Sequence, residues 1–280
     1  MFSTSLSSII NRQGIRLKAL SIDELWRPVD ININESLLVT LGGLTLVIRH
    51  EPQEWSIAYD WQQDHDDEEP TCMLGNNQDF TELDKNIHRY AYSEKTNTLQ
   101  LRPKLADRSV VARPRVPFNL LAKQQANLYV STPLWLEIVI GDNVVLKEIP
   151  VFRLSDTWFG ANTIEGEVAY ATRTHARLRL NEVSFNQYRA ITPLVLINDT
   201  DDSILLERIS LPVPLLHLFS DQHKNLWTSP LSIVRESNNG TSIKIESSCP
   251  AEISQATELA SPRQNIERNA FTKTLHVLFG

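Results

Sequence analysis

The stretch Glu167-Val168-Ala169-Tyr170-Ala171-Thr172-Arg173-Thr174-His175-Ala176-Arg177-Leu178-Arg179-Leu180 reads as one long β-strand. Its residues alternate. Even positions (Val168, Tyr170, Thr172, Thr174, Ala176, Leu178, Leu180) form a set suited to a core. Odd positions place Arg173, His175, Arg177 and Arg179 in line on the opposite face, because strand side chains repeat every second residue. Neighbours in such a row stand about 7 Å apart, within the screening length of physiological salt, so they repel unless an anion lies over them.

Working outward, the pattern predicts further short strands at Asn127–Val130, Trp135–Ile140, Val144–Arg153, Pro193–Ile197, Ile204–Ile209, Leu231–Arg235 and Thr241–Ile245. The connectors carry turn chemistry: Gly141-Asp142-Asn143, Asn198-Asp199-Thr200-Asp201-Asp202-Ser203, and Asn239-Gly240, the strongest hairpin signal in the chain. Short strands at this spacing indicate an all-β fold, an antiparallel β-sandwich or barrel. Upstream, an apolar run over Leu41–Arg49 broken by Gly42-Gly43, and the alternating Trp55–Trp61, mark the first strands of a smaller N-terminal β unit. Ser261-Pro262 reads as a helix start, with Ile266, Ala270, Phe271, Leu275 and Leu278 on one face of a C-terminal helix. The expected organisation is an N-terminal β unit over residues 1–104, a sandwich over 105–250, and a tail with its helix over 251–280.

The net charge of -7 is unevenly spread. Residues 60–85 hold nine acids against Lys85 alone, so the remaining chain is close to neutral. This acidic insert predicts a solvated or disordered loop as far as about Phe80, with a short helix at 81–91. Asp64, Asp66 and Asp67 offer oxygen ligands. A calcium loop, however, wants glycine at its sixth position and glutamate at its twelfth, where Glu69 and Gly75 stand. No metal site and no cofactor is expected. The absence of a broad basic surface argues against nucleic acid. Two scattered cysteines, Cys72 and Cys249, make no disulfide framework. With no export signal in the first residues and no apolar stretch of about eighteen residues, the chain reads as cytoplasmic and not membrane-spanning. Its oligomeric state stays open.

Motifs for catalysis are missing: no G-x-S-x-G, no phosphate loop, no G-x-G-x-x-G, no H-E-x-x-H. No catalytic residue is assigned. Glu165 and Glu167 flank Gly166 on one strand face, where a structural role outweighs an acid/base pair. Trp158 and Phe159, in the polar run Ser155–Gly160, either plug the end of the sandwich or form an aromatic platform, the plug being preferred. The basic row has two readings. It binds an anion through planar guanidinium groups, or it is a solvated face neutralised by Glu165, Glu167, Glu182 and Glu207. Cross-strand pairs of the second kind are routine, which favours the neutralised face.

Several blocks resemble an uncharacterised prokaryotic family, the domain of unknown function 432 group. These are Leu105–Pro114, Leu128–Trp135, Arg153–Gly160, Glu165-Gly166-Glu167, Arg189–Pro193 and Leu211–Pro214, with Leu41–Leu44 and Glu54-Trp55 more loosely. The likeness covers most of residues 38–235 and leaves out the acidic insert and the tail. It implies no catalytic residues. Genes of the family often lie beside those of small-conductance mechanosensitive channels, which implies a soluble accessory subunit or sensor. The leading expectation is a non-enzymatic accessory protein with Arg173, His175, Arg177 and Arg179 as its anionic contact. The competing one is an enzyme or small-ligand binder for an anionic carbohydrate or phosphate, with Trp158, Glu165, Glu167 and Arg173 meeting in a β-sandwich cleft.

Overall fold

A computed structural model describes residues 18–20, 26–62, 69–78, 80, 87–93, 96–160, 166–237 and 240–264, with the backbone alone at 172–175. The first strands are β1 (Lys18–Ala19), β2 (Val29–Asp30), β3 (Glu35–Leu41), β4 (Leu44–Glu51), β5 (Glu54–Trp61), β6 (Thr71–Asn76), β7 (His88–Ala91) and β8 (Thr98–Lys104). Next come β9 (Val110–Pro114), β10 (Phe118–Leu120), β11 (Gln125–Pro133), β12 (Trp135–Ile140), β13 (Val144–Pro150), β14 (Ser155–Gly160), β15 (Gly166–Arg177) and β16 (Arg189–Asp199). The last are β17 (Ile204–Leu206), β18 (Ile209–Leu211), β19 (Leu218–Asp221), β20 (Leu226–Thr228), β21 (Leu231–Glu236), β22 (Thr241–Ile245) and β23 (Ala256–Ala260). The fold is therefore nearly all β. No helix among the described residues is long and apolar enough to cross a membrane.

The chain divides into two compact units, one of residues 1–102 with 137–152, the other of 103–136 with 153–280. In the first, six antiparallel strands run in the order β1-β6-β3-β4-β5-β7. The core is the meander β3–β4–β5. Every residue of Ser36–Leu41 and Leu44–His50 is buried, so both faces of these strands are covered. That explains an apolar run where a half-exposed strand would alternate. Gly42 turns the chain with φ +56°, in the left-handed region that glycine tolerates. A four-stranded sheet, β13-β12-β8-β2, covers one face. Leu99 and Leu101 close on Leu37 and Cys72, and the Trp61 indole donates to Pro150 O at 2.9 Å. On the other face Leu38 and Val47 pack with Phe80 and Met73.

The second unit holds an eleven-stranded sheet with the path β18-β9-β15-β11-β16-β20-β19-β23, to which β14, β21 and β22 attach, and a separate pair β10-β17. Strand β16 is its spine. It pairs with β11 along nine registered positions and, on its other edge, with β20 and β21. Most ladders are antiparallel, yet β15·β9, β16·β20 and β16·β21 are parallel. A parallel pair needs a long crossover, and here the crossovers are made of other strands rather than helices.

Four expectations change. Thr71–Asn76, assigned to the acidic insert, is a strand between β1 and β3. Residues 88–91 of the expected short helix form a strand, and 81–86 lie outside the described residues. The C-terminal helix is not supported. Ser261–Gln264 are not helical, the Ser261 hydroxyl donates to Glu258, and 265–280 lie outside the described residues. The 198–203 connector is no hairpin either, since β17 pairs with β10 and not with β16. By contrast, Gly141-Asp142-Asn143 joins neighbouring strands, and β21 and β22 pair across Asn239-Gly240.

Asn198 explains why that connector folds without a hairpin. It is fully buried, and its amide nitrogen donates to Leu120 O, Leu121 O and Asp202 O at 3.0, 3.0 and 2.8 Å. Its carbonyl oxygen accepts from the Thr200 hydroxyl and backbone N–H. One side chain thus ties together two loops. Asn198→Ala would remove these hydrogen bonds from a fully buried position and is expected to cost about 1–3 kcal/mol in urea unfolding. A loss below about 0.5 kcal/mol would show that the loops hold without it.

Candidate functional site

Strands β14 and β15 form an antiparallel hairpin that pairs Ser155–Gly160 with Gly166–Ala171. The alternation expected of β15 fails at both ends. Val168, assigned to the core, is 46% exposed, while Ala169 and Tyr170 are both buried. Leu178, also assigned to the core, is 54% exposed, because the strand ends at Arg177. Between Ala171 and His175 the register against β9 shifts, four residues of β15 advancing against two of β9. Such an irregularity interrupts a simple two-residue repeat.

Trp158 lies opposite Val168 and shares its outward face. The indole rests on Gly166: a Cβ there would sit 2.6 Å from the ring, so only glycine allows the approach. Phe159 is 2% exposed, with the Arg208 guanidinium 5.1 Å from its ring centre, and it is the buried member of the pair. Glu167 lies opposite Phe159 and accepts from the Ser210 hydroxyl at 3.1 Å. Trp158 and Glu167 therefore point to opposite faces of the hairpin. Glu165 lies outside the described residues, as do the side chains of Arg173 and His175.

The other end of β15 is basic over a wider area than its own sequence shows. The parallel register sets His175 beside Arg113 and Ala176 beside Pro114, so the next residue on each strand is Arg177 and Arg115. Paired strands lie about 4.8 Å apart. Arg179 follows in extended conformation, φ -130° and ψ 136°, at the start of a 3-10 turn, Leu180–Glu182. Arg113, Arg115 and Arg179 are exposed and Arg177 is half-buried. None of the four makes an ion pair or side-chain hydrogen bond among the described residues. Glu182 and Glu207 are exposed and equally unpaired there, and Glu167 is engaged by Ser210. Arg113 and Arg115 were missed in the sequence because they lie on a strand far earlier in the chain. Their i, i+2 spacing around Pro114 was the available signal.

A second cluster latches the Leu105–Ser109 turn to β15. The Tyr170 hydroxyl donates to Asp107 Oδ1 at 2.9 Å, and its backbone N–H donates to Ser109 O at 2.9 Å. The Arg108 guanidinium lies 5.4 Å from the Tyr170 ring centre and bonds Asp156 at 3.2 Å. Trp135 tilts against Tyr170 with centroids 5.9 Å apart. The Arg263 guanidinium sits 5.9 Å over Trp135, and its Nε donates to Leu105 O at 2.7 Å. Two of the sequence blocks that carry the family likeness, Leu105–Pro114 and Arg153–Gly160, meet here. Burial, then the Asp107 hydrogen bond, pushes the Tyr170 phenol up to about 12. A phenol so raised stays neutral and donates its proton to a carboxylate. The cluster is a lock rather than an acid/base pair. Among the described residues no group of three or more His, Cys, Asp or Glu side chains is arranged to hold a metal ion.

The raised phenol makes alkaline stability a test of the lock. Tyrosinate forms near pH 10 in the unfolded chain and near 12 in the folded one. The contribution of Tyr170 is therefore complete below pH 10 and is lost as the pH climbs through 12. Tyr170→Phe is expected to remove the highest-pH tyrosinate transition from the ultraviolet titration and to cost about 1 kcal/mol at neutral pH. An unchanged titration would place the late transition on another tyrosine.

No curated protein matches the chain, and no solved structure matches it. A family model does. It is described as "Protein of unknown function (DUF432)" and covers residues 25–279, including the acidic insert and most of the tail that the residue-level likeness left out. The chain belongs to that family.

Proposed function

We propose that the protein is a non-enzymatic binding or accessory protein that holds an anionic surface of a partner against the basic end of β9 and β15. The observation that carries this reading is the set of Arg113, Arg115, Arg177 and Arg179, gathered from two strands with no carboxylate partner among the described residues. Like charges this close repel, and a partner's carboxylates or phosphates relieve that repulsion through charge-assisted, two-pronged hydrogen bonds. Arg173 and His175 lie on the same strand and extend the contact. Among the described residues no acid, base and nucleophile are brought together around them, which supports binding over catalysis.

The reading places the protein in the cytoplasm and gives the eleven-stranded sheet a sandwich-like closure over its buried strands. The first partner to test is a small-conductance mechanosensitive channel, the neighbour that the family resemblance implies. A small-ligand or enzymatic reading for an anionic carbohydrate or phosphate needs Trp158 and Glu167 in one cleft. Their opposite orientations across the hairpin weigh against it.

Charge reversal tests the proposal. Arg115→Glu with Arg177→Glu is expected to abolish co-purification of a membrane-fraction partner, and added salt to weaken it in the wild type. The unfolding free energy should move by no more than about 0.5 kcal/mol, as for other surface changes. Undiminished co-purification would remove the basic end from the interface.

A further inference from the structure

Strands β9 and β15 run parallel and end together. Their last registered pair is Pro114 with Ala176, and both chains bend directly afterwards, at 115–116 and at 178–179. Past that pair, Arg115 is followed by Val116, and Arg177 by Leu178 and then Arg179. Val116 is 71% exposed and Leu178 54%. A single aliphatic side chain in water needs no explanation. Here there are two, each the second residue after the same registered pair and each directly behind an arginine.

The surroundings are net basic. Glu182 lies three residues beyond Arg179, and Glu207 lies two before β18, which pairs with the other edge of β9. Arg113, Arg115, Arg177 and Arg179 outnumber these two exposed acids, and none of the four is in an ion pair among the described residues. Charge alone would suit an acidic protein, a free phosphate or a lipid headgroup. The aliphatic pair separates them. Carboxylates and free phosphate are met by guanidinium groups and have no use for valine or leucine, which are also under-represented among the anchors of protein interfaces. At a bilayer, arginine keeps its charged head level with the phosphates while its stem and neighbouring aliphatic side chains enter the acyl boundary.

We propose that this end of β9 and β15 seats on an anionic lipid bilayer, with the four arginines at the headgroup phosphates and Val116 and Leu178 inserted between them. The proposal rests on the basic end being a contact surface, and it names what that surface touches. A basic residue near an anionic leaflet gains about fivefold in affinity, so four supply on the order of several hundredfold over a neutral bilayer at low salt. Two aliphatic side chains are too few to hold a neutral bilayer by themselves. Attachment therefore needs both the charge and the apolar pair, and it is reversible by salt.

Cosedimentation of the full chain with vesicles tests this. Vesicles of equal parts phosphatidylserine and phosphatidylcholine are expected to bind it at least about tenfold more tightly than phosphatidylcholine alone. Soluble glycerophosphoserine should not release it, and polyglutamate should bind it more weakly than the anionic vesicles. Val116→Ser with Leu178→Ser, both at exposed positions, should leave the circular dichroism spectrum unchanged. This variant is expected to lose at least about fivefold in vesicle affinity while its polyglutamate affinity stays the same. Failure to bind the anionic vesicles would overturn the proposal, as would a double-serine variant that binds them like the wild type. Release by the free headgroup would identify a soluble phosphate ligand instead, and polyglutamate held as tightly as the vesicles would identify an acidic protein; either overturns the lipid seat. The wider reading of a contact surface fails separately, when Arg115→Glu with Arg177→Glu changes neither vesicle binding nor co-purification.

Discussion

The parallel pairing of β9 with β15 is the constraint on which the second unit depends. It seats Val110 and Ala112 beside the strand that carries Ala169 and Ala176, all of them buried. Small and branched side chains allow β9 and β15 to be covered there, and the hydrogen-bonded ladder fixes which residues emerge at their far end. What emerges is Arg113 and Arg115 on one strand and Arg177 on the other. The same pairing brings Ser109 O to the Tyr170 N–H, which lets the 105–109 turn fold down onto the Tyr170 ring. A slip of one residue between the strands would turn the arginines inward and undo the lock together.

The first unit rests on a different economy of burial. Its meander is covered on both faces, so its polar residues are either satisfied inside or confined to strand ends. Ser36 donates to Asn77, and Arg49 to Phe80 O. The covering stops at the end of β5, over Tyr59–Trp61, and where β4 turns into β5. His50 and Glu51 stand at that point, one held by a backbone carbonyl and the other in the field of Arg89, which pairs with Glu54.

Much of the local structure was legible from turn chemistry. Gly42-Gly43, Gly141-Asp142-Asn143 and Asn239-Gly240 mark joins between neighbouring strands because each supplies the backbone freedom a tight turn requires. What could not be read were pairings between distant segments. Nothing local in Thr71–Asn76 reveals a strand once it is preceded by a run of acids, since its place between β1 and β3 is decided by burial against the meander. Asn198 looked like a turn residue and is the buried tie of two loops. The basic row of β15 was visible, but its extent was not. The strand ends sooner than alternation predicts, and its charge is completed by Arg113 and Arg115 from a parallel neighbour.

The proposed function makes these arginines a contact surface and not merely a solvated face. Arginine-selective footprinting with phenylglyoxal, read by mass spectrometry on the protein alone and bound to its membrane-fraction partner, addresses it directly. Arg113, Arg115, Arg177 and Arg179 are expected to react in the isolated protein and to be protected together in the complex, while Arg89, on the first unit, reacts equally in both. Equal reactivity of the four in both states would contradict it.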